Sequence, residues 1–127
     1  MSFPFDPRQG LIIVRAELWG PSGSAVLRLA LDTGATSTVV NMGLLVAIGY
    51  DPALVPDRIQ VTTGSSVEFM PRVILDRIVA LGQERKNFPV LCHTLSPSAG
   101  VDGLLGLDFF RGRSLTIDFR NGQVLLA

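Results

Sequence analysis

The sequence is poor in the residues that build cross-linked or metal-bound domains. Its 127 residues include one cysteine, Cys92, and one histidine, His93. A single cysteine cannot form a disulfide within the chain, and one cysteine with one histidine supplies too few ligands for a structural zinc site. We therefore predict no metal and no cofactor, and we interpret both residues as packing residues of a strand.

The sequence also lacks an excess of charge of either sign. Its 11 basic and 11 acidic residues cancel to a net charge of zero, which argues against a dedicated nucleic-acid-binding protein. Charged residues make up 17% and hydrophobic residues 47% of the chain, so a disordered tail is excluded as well.

Long hydrophobic runs are missing too. The longest, such as residues 11–14 and 44–48, fall far short of the ~20 residues that a membrane-spanning helix needs. The first residues have neither the basic segment nor the apolar core of a secretory signal. We predict one domain over residues 1–127, cytoplasmic, with no membrane partner.

Alternating apolar and polar residues predict a mostly β chain. The first strand covers residues 11–19, and the second ends at Asp32. Further strands are predicted at residues 61–69 (as a hairpin), 73–81, 88–92, 115–119 and 123–126, with a polar loop at 82–87 and a tight turn at Asn121-Gly122. Short helices are predicted at residues 42–48, capped by Asn41, and at 107–111.

The segment Leu-Asp-Thr-Gly-Ala-Thr at residues 31–36 is the strongest candidate for chemistry. It places a carboxylate directly after an apolar strand, and small residues follow it, so backbone and a second molecule can approach closely. The structural alternative is an ordinary turn, in which Asp32 accepts hydrogen bonds from backbone amides ahead of it and Gly34 allows a positive φ.

Together with two other segments, this loop resembles the retropepsin-like aspartic proteases over roughly residues 10–127. Residues 31–35 match the catalytic loop of that family. Residues 101–110, Val-Asp-Gly-Leu-Leu-Gly-Leu-Asp-Phe-Phe, match its second motif about seventy residues later, and the hairpin at Gly64 lies between them where the flap is expected. The resemblance implies an all-β fold, a closed acid-protease β-barrel with one or two short helices.

The second motif is closer to cellular and bacterial members of the family than to viral ones. Retroviral proteases usually carry an aspartate after the alanine of the catalytic loop and an arginine after the late glycine, and these two form an ion pair. The corresponding residues are Thr36 and Leu107, so both partners are absent together and no unpaired charge is left.

The resemblance assigns catalysis to Asp32. Amide hydrolysis by this route uses two carboxylates that share one proton: one deprotonates a water molecule, and the other protonates or stabilises the carbonyl oxygen. The chain has one Asp-Thr-Gly, and we interpret Asp102-Gly103 as a turn because it lacks the threonine. The second carboxylate then has to come from a second copy, in a twofold homodimer where Asp32 meets Asp32.

Other residues receive roles from the same resemblance. Thr33 is similar to the residue whose hydroxyl links the two catalytic loops across the dimer axis, and Gly34 lets a backbone amide approach the carboxylates. Ala35 stands where pepsin-like enzymes often have serine, which predicts a mildly acidic pH optimum. The residues implied in substrate binding are Ala35, Thr36, Thr63, Gly64, Ser65, Leu104 and Leu105.

For two of these groups an alternative remains. The hairpin that carries Thr63, Gly64 and Ser65 is either a flap over bound peptide or a plain solvent-exposed hairpin. Leu104 and Leu105 either line substrate pockets or belong to the core.

The sequence therefore predicts a homodimeric aspartic endopeptidase that cleaves extended, largely apolar segments of peptides or proteins. The alternative is a peptide-binding or dimerisation module that keeps the fold without turnover, and a third possibility is a processing domain that acts on its own chain. A dimer would also account for the high apolar content, since Leu125, Leu126 and the last hairpin would be buried against the partner.

Overall fold

The computed structural model describes residues 2–62 and 64–127. Within them the chain forms ten strands, two short α-helices and a 3₁₀ turn at Pro97–Ala99. The strands are β1 (Ser2–Pro4), β2 (Ile13–Gly20), β3 (Gly23–Leu31), β4 (Val39–Asn41), β5 (Arg58–Thr62), β6 (Val67–Ala80), β7 (Gln83–His93), β8 (Gly103–Leu105), β9 (Leu115–Asp118) and β10 (Gln123–Leu126); the helices are α1 (Met42–Ala47) and α2 (Leu107–Phe110).

Six strands close into a barrel in the order β2-β3-β8-β4-β7-β6, because β6 pairs again with β2. The 14 residues of β6 allow it to pair with β5, β7 and β2 along different parts of its length. β5 extends from β6 as the outer arm of a hairpin, and β1, β10 and β9 form a separate three-stranded antiparallel sheet. The predicted fold class, mostly β with a closed barrel and two short helices, is confirmed.

The core fills the barrel with the inward-facing residues of the alternating strands. Val14, Ala16 and Leu18 of β2 are all buried, while Arg15 between them is exposed. Phe109 of α2 is fully buried and packs edge-to-face on Phe88 of β7, with ring centroids 6.0 Å apart. Burial of a side chain of this size stabilises the fold by roughly 1.5–3 kcal/mol.

Both helices begin at the predicted residue and end one residue earlier than predicted. Asn41 caps α1 through its side-chain oxygen, which accepts a hydrogen bond from the backbone N of Gly43 at 3.4 Å. Beyond α2, Gly112 has a φ of 76°, a conformation that glycine adopts without strain. Neither helix in the described part of the chain has the length and apolar character that a membrane crossing requires.

The predicted polar loop at residues 82–87 is wrong. Strands β6 and β7 are joined by Leu81 and Gly82 alone, both with positive φ (51° and 70°), as a tight two-residue hairpin turn requires. The following polar residues belong to β7. Arg85 among them is half-buried, because its Nη2 donates hydrogen bonds to the backbone oxygens of Phe109 at 2.9 Å and Arg111 at 2.6 Å.

The last hairpin is present, but its turn is longer than predicted. Four residues, 119–122, connect β9 to β10, so Asn121-Gly122 does not form the whole turn. The carboxylate of Asp118 accepts hydrogen bonds from the backbone N of Asn121 at 3.0 Å and from its Nδ2 at 2.8 Å. These bonds close the wider turn.

Strands β1, β4 and β8 are not predicted by the sequence pattern. Each has three residues, which is too short for an alternation to be visible.

The terminal sheet, formed by β1, β10 and β9, contradicts part of the prediction that Leu125 and Leu126 are both buried against a partner. Leu126 is 3% exposed and belongs to the core of the single chain, so it is not free to contact a partner. Leu125 faces the opposite side and is 40% exposed, and Phe119 in the β9–β10 turn is 63% exposed. An apolar surface is therefore left on this sheet, but it is smaller than predicted.

Candidate functional site

The loop between β3 and β4, residues 32–38, is held in place by strand β8. Strands β3 and β8 are parallel neighbours, and β4 pairs with the other edge of β8. The loop therefore crosses the carboxyl end of β8. Gly106 lies at this crossing, where a Cβ would come within 2.8 Å of the backbone O of Ala35. Only glycine fits without moving the loop.

Asp32 lies at the start of this loop and has one anchored carboxylate oxygen. Its backbone N donates to the carbonyl of Leu105 at 2.9 Å, and its Oδ1 accepts a hydrogen bond from the backbone N of Gly34 at 2.8 Å. A Cβ on Gly34 would lie 3.1 Å from the same Oδ1, so a larger residue would crowd the carboxylate. The side chain is half-buried, and its other oxygen, Oδ2, makes no hydrogen bond with any described residue.

The far end of the loop is held by a buried hydrogen-bond network between Thr38 and α2. Thr38 is fully buried. Its backbone N donates to both carboxylate oxygens of Asp108, each at 3.0 Å, and its Oγ1 donates to Asp108 Oδ1 at 2.7 Å. The same Oγ1 accepts a hydrogen bond from the backbone N of Gly106 at 3.1 Å. In addition, the backbone N of Leu107 donates to Ala35 O at 2.8 Å.

The sequence analysis assigns no role to Thr38 or Asp108. Two features of the sequence could have identified them: the absence of the viral ion pair at Thr36 and Leu107, and an aspartate inside the apolar run 104–110. A buried or half-buried carboxylate needs a partner. The carboxylate of Asp108, one residue after Leu107, accepts hydrogen bonds from the backbone amide and the hydroxyl of Thr38, and no arginine among the described residues takes part.

A cleft of about 540 Å³ separates the loop from the β5–β6 hairpin, and we call it the loop–hairpin cleft. One wall is the backbone of residues 34–37, and the opposite wall comes from β5 and the start of β6. Apolar side chains dominate the lining. The lining residues are Gly34, Ala35, Thr36, Ser37, Val39, Ile59, Gln60, Val61, Thr62, Glu68, Met70, Leu91, His93, Leu95 and Leu104.

The structure places the predicted substrate contacts in different surroundings. Ala35, Thr36 and Leu104 line the loop–hairpin cleft. Leu105 is fully buried in the core, as the alternative for this residue stated, and it is not available to a substrate. Gly64 and Ser65 are exposed in the connection between β5 and β6, and Thr63 lies outside the described residues.

The other predicted residues are placed as follows. Thr33 is exposed beside Asp32. Asp102 has a structural role: its Oδ2 accepts a hydrogen bond from the backbone N of Arg28 at 2.8 Å, and its backbone O accepts one from Asn41 N at 2.9 Å. These two bonds join β3 to β4.

Comparison with known protein families agrees with the resemblance seen in the sequence. The model of the family described as aspartyl protease matches residues 16–109. The chain belongs to this family. The match spans Asp32, the loop–hairpin cleft and most of α2. No curated protein matches the chain significantly.

Two solved structures share the fold. A retropepsin-like aspartic protease from Rickettsia conorii superposes with a TM-score of 0.74, covering 99% of this chain and 88% of its own, at 17% identity. The retroviral protease-like domain of Ddi1 from Leishmania major superposes with a TM-score of 0.61, covering 94% of this chain and 96% of its own, also at 17% identity. The fold of the chain is retropepsin-like.

In this aspartyl protease family member, Cys92 and His93 lie at the end of β7. Cys92 is buried, and this burial raises the pKa of its thiol to about 11. The thiol is therefore protonated at neutral pH and unsuited to nucleophilic attack. Among the described residues, no three His, Cys, Asp or Glu side chains lie close enough together to hold a metal ion.

Proposed function

We propose that the protein is a homodimeric aspartic endopeptidase that hydrolyses extended peptides with one Asp32 from each copy. The observation that carries the proposal is the state of the Asp32 carboxylate, which has one oxygen held by Gly34 N and one without a partner among the described residues. This geometry fixes the carboxylate while leaving an oxygen for water, a proton or a second carboxylate.

A second copy of the chain is needed because neither the loop nor the second motif supplies another Asp-Thr-Gly segment. The chain has one Asp-Thr-Gly, and Asp102, its nearest substitute by motif, is occupied in joining β3 to β4. Two carboxylates close together resist simultaneous ionisation, so one proton is shared between them over a range of pH. The ionised member takes a proton from water as the water attacks the carbonyl carbon, and the protonated member donates to the carbonyl oxygen.

The remaining roles complete the proposed machinery. Thr33, exposed beside Asp32, joins the two loops across the axis. The β5–β6 hairpin with Gly64 and Ser65 acts as a flap, and an extended substrate forms backbone hydrogen bonds with it. Leu125 provides apolar surface for the partner, and the outer edges of the terminal sheet, which pair with no further strand among the described residues, provide backbone groups for it. Zero net charge adds little repulsion to self-association.

The test compares the parent protein with Asp32→Asn on a diverse peptide mixture from about pH 4 to about pH 7, where carboxylates titrate. Asparagine keeps an oxygen for Gly34 N but cannot exchange the proton. We expect cleavage by the parent and a loss of about a thousandfold or more in the variant. Mass spectrometry of the products gives the readout, and Glu17→Gln, on β2 outside the cleft, is the matched control.

Two further measurements decide the mechanism. Sedimentation should show a dimer, and a monomer with full activity would contradict the shared pair of carboxylates. Because Ala35 supplies no hydroxyl to the carboxylates, we expect a mildly acidic optimum, and a rate that still rises below roughly pH 3 contradicts this. Confirmed dimers that leave every peptide intact would favour the non-catalytic binding module.

A further inference from the structure

The loop–hairpin cleft contains very few ionisable side chains. Among its lining residues, Glu68 is the one carboxylate and His93 the one imidazole, and no lysine or arginine is present. The rest of the lining is apolar or neutral, with valine, isoleucine, leucine and methionine on several elements. Glu68 is exposed, and as the one carboxylate of the lining it favours the entry of positively charged groups.

The strand register places Glu68 on the side of the hairpin that faces the cleft. Glu68 pairs directly with Val61, and Met70 pairs directly with Ile59. Directly paired residues of antiparallel strands have side chains on the same face of the sheet, and residues two apart on one strand share that face. All four residues line the cleft, and Met70 is buried whereas Phe69 beside it is 65% exposed, so the face that carries Glu68 is the one turned inward.

Glu68 is available to a ligand because the chain does not neutralise it. Its carboxylate forms no ion pair and no hydrogen bond with the described residues. Two other ionisable groups lie around it: His93 at the end of β7, and Arg58, which pairs with Pro71 and lines the adjoining pocket together with Glu68 and His93. Neither lies within ion-pair distance of Glu68.

We infer that Glu68 is a specificity-determining residue that selects substrates carrying a lysine or arginine side chain beside an apolar one. The inference rests on the proposed function. The apolar residue packs against Val39, Leu91 and Leu104, and the basic residue pairs with Glu68. Side chains on one face of an extended peptide recur at every second residue, so the two substrate residues are expected two positions apart.

The experiment uses matched peptides that share one apolar residue and differ at the position two residues away, which carries lysine, norleucine or glutamate. The comparison is made at about pH 6.5, within the range of the cleavage test. We expect the parent protein to cleave the lysine peptide with a kcat/KM about three- to tenfold higher than the norleucine peptide, the range of a partly exposed ion pair.

Variants of Glu68 assign the preference to this side chain. Glu68→Gln should remove the preference for lysine, so that the kcat/KM values of the lysine and norleucine peptides become equal within about twofold. Glu68→Lys should reverse the order in favour of the glutamate peptide. The control Glu17→Gln removes the same charge from β2, which contributes no residue to the cleft lining, and should keep the preference of the parent.

A binding measurement separates failure of the inference from failure of the proposed function. The same peptides, labelled, are titrated with Asp32→Asn and with Asp32→Asn combined with Glu68→Gln, and the fluorescence anisotropy is recorded. Cleavage of all peptides without a charge preference overturns the inference alone. Charge-selective binding without cleavage by the parent supports the role of Glu68 and contradicts the enzyme, whereas neither binding nor cleavage overturns both.

Discussion

The two walls of the loop–hairpin cleft are built in opposite ways. The loop wall, which residues 34–37 of the loop at 32–38 supply, is anchored where that loop begins and ends, by Asp32 N on Leu105 O and by Thr38 on Asp108. The hairpin wall is attached through β6 alone, since β5 has no other partner among the described strands. Side chains near its tip, including Val67 at 52% and Phe69 at 65% exposure, are open to solvent.

This contrast separates two tasks of a peptide-cleaving site. A reacting carboxylate has to be held to within a fraction of an ångström, and a network of buried hydrogen bonds does this without rearrangement during the reaction. A substrate has to enter and leave, which favours a wall with few buried contacts. Under the proposed function, the reacting Asp32 lies on the loop that supplies the first wall, and the selective charge, Glu68, lies on the second wall.

The largest effect is expected from breaking the anchor of the loop wall. Thr38→Val keeps the shape of the side chain but leaves the Gly106 N–H without its acceptor and removes the hydroxyl bond to Asp108. We expect the free energy of unfolding to fall by about 2–3 kcal/mol, the cost of unsatisfied buried polar groups. Urea denaturation followed by circular dichroism gives the measurement.

The same substitution on the hairpin wall is the control. Thr62 is exposed at the end of β5, so Thr62→Val should change the free energy of unfolding by no more than about 0.5 kcal/mol. Equal losses in the two variants would show that the walls do not differ in stability.

Hydrogen exchange tests the difference in mobility directly. Two amides fasten the loop wall, and we call them the loop-wall amides: Asp32 N donates to Leu105 O, and Leu107 N of α2 donates to Ala35 O. The amides of β5, in contrast, belong to an outer arm. We expect the β5 amides to exchange about 100-fold faster than the two loop-wall amides. Addition of a peptide to the Asp32→Asn protein should slow exchange in β5 and leave the loop wall unchanged; uniform exchange across both walls would contradict the comparison.

The smallest effect concerns the thiol in β7, which pairs with β4 next to the loop wall. Because burial raises the folded-state pKa of Cys92 to about 11, the folded protein holds this proton more tightly than the unfolded chain does. The resulting stability is fully present below the unfolded pKa and is lost as the pH rises through the folded pKa. We expect a loss on the order of 2 kcal/mol.

Comparison with Cys92→Ala isolates this contribution. The variant should be less stable at neutral pH because of the cavity, but its free energy of unfolding should decline less between about pH 9 and about pH 11. Tyr50, whose pKa is also raised by burial, is present in both proteins and cancels. Parallel decline in the two proteins would show that the thiol does not titrate as described.

Local sequence patterns predict those parts of the fold that depend on neighbouring residues. Alternation predicts β2 and β3, and the Asp-Thr-Gly segment predicts the turn in which Gly34 N donates to Asp32. In contrast, the bond from Thr38 to Asp108 joins residues 70 positions apart, and no local pattern specifies it. The same is true of β8, whose three residues pair with β3 and β4.

The error at residues 82–87 has a related cause. Polar composition indicated a loop, yet Arg85 lies half-buried in β7 because carbonyl groups at the end of α2 accept its hydrogen bonds. From the sequence alone, a polar strand residue whose hydrogen-bond partners lie far along the chain cannot be distinguished from a loop residue.

The terminal sheet has a consequence for the order of folding. Ser2 pairs with Leu125, so this ladder closes nearly the whole chain into one loop, whereas the β2–β3 and β6–β7 hairpins form between neighbouring segments. Contacts between distant segments form slowly, and we expect this sheet to be completed last. Under the proposed function, and with the dimer contact on this sheet, an incompletely folded chain holds Asp32 without its counterpart, so hydrolysis begins only once folding has finished.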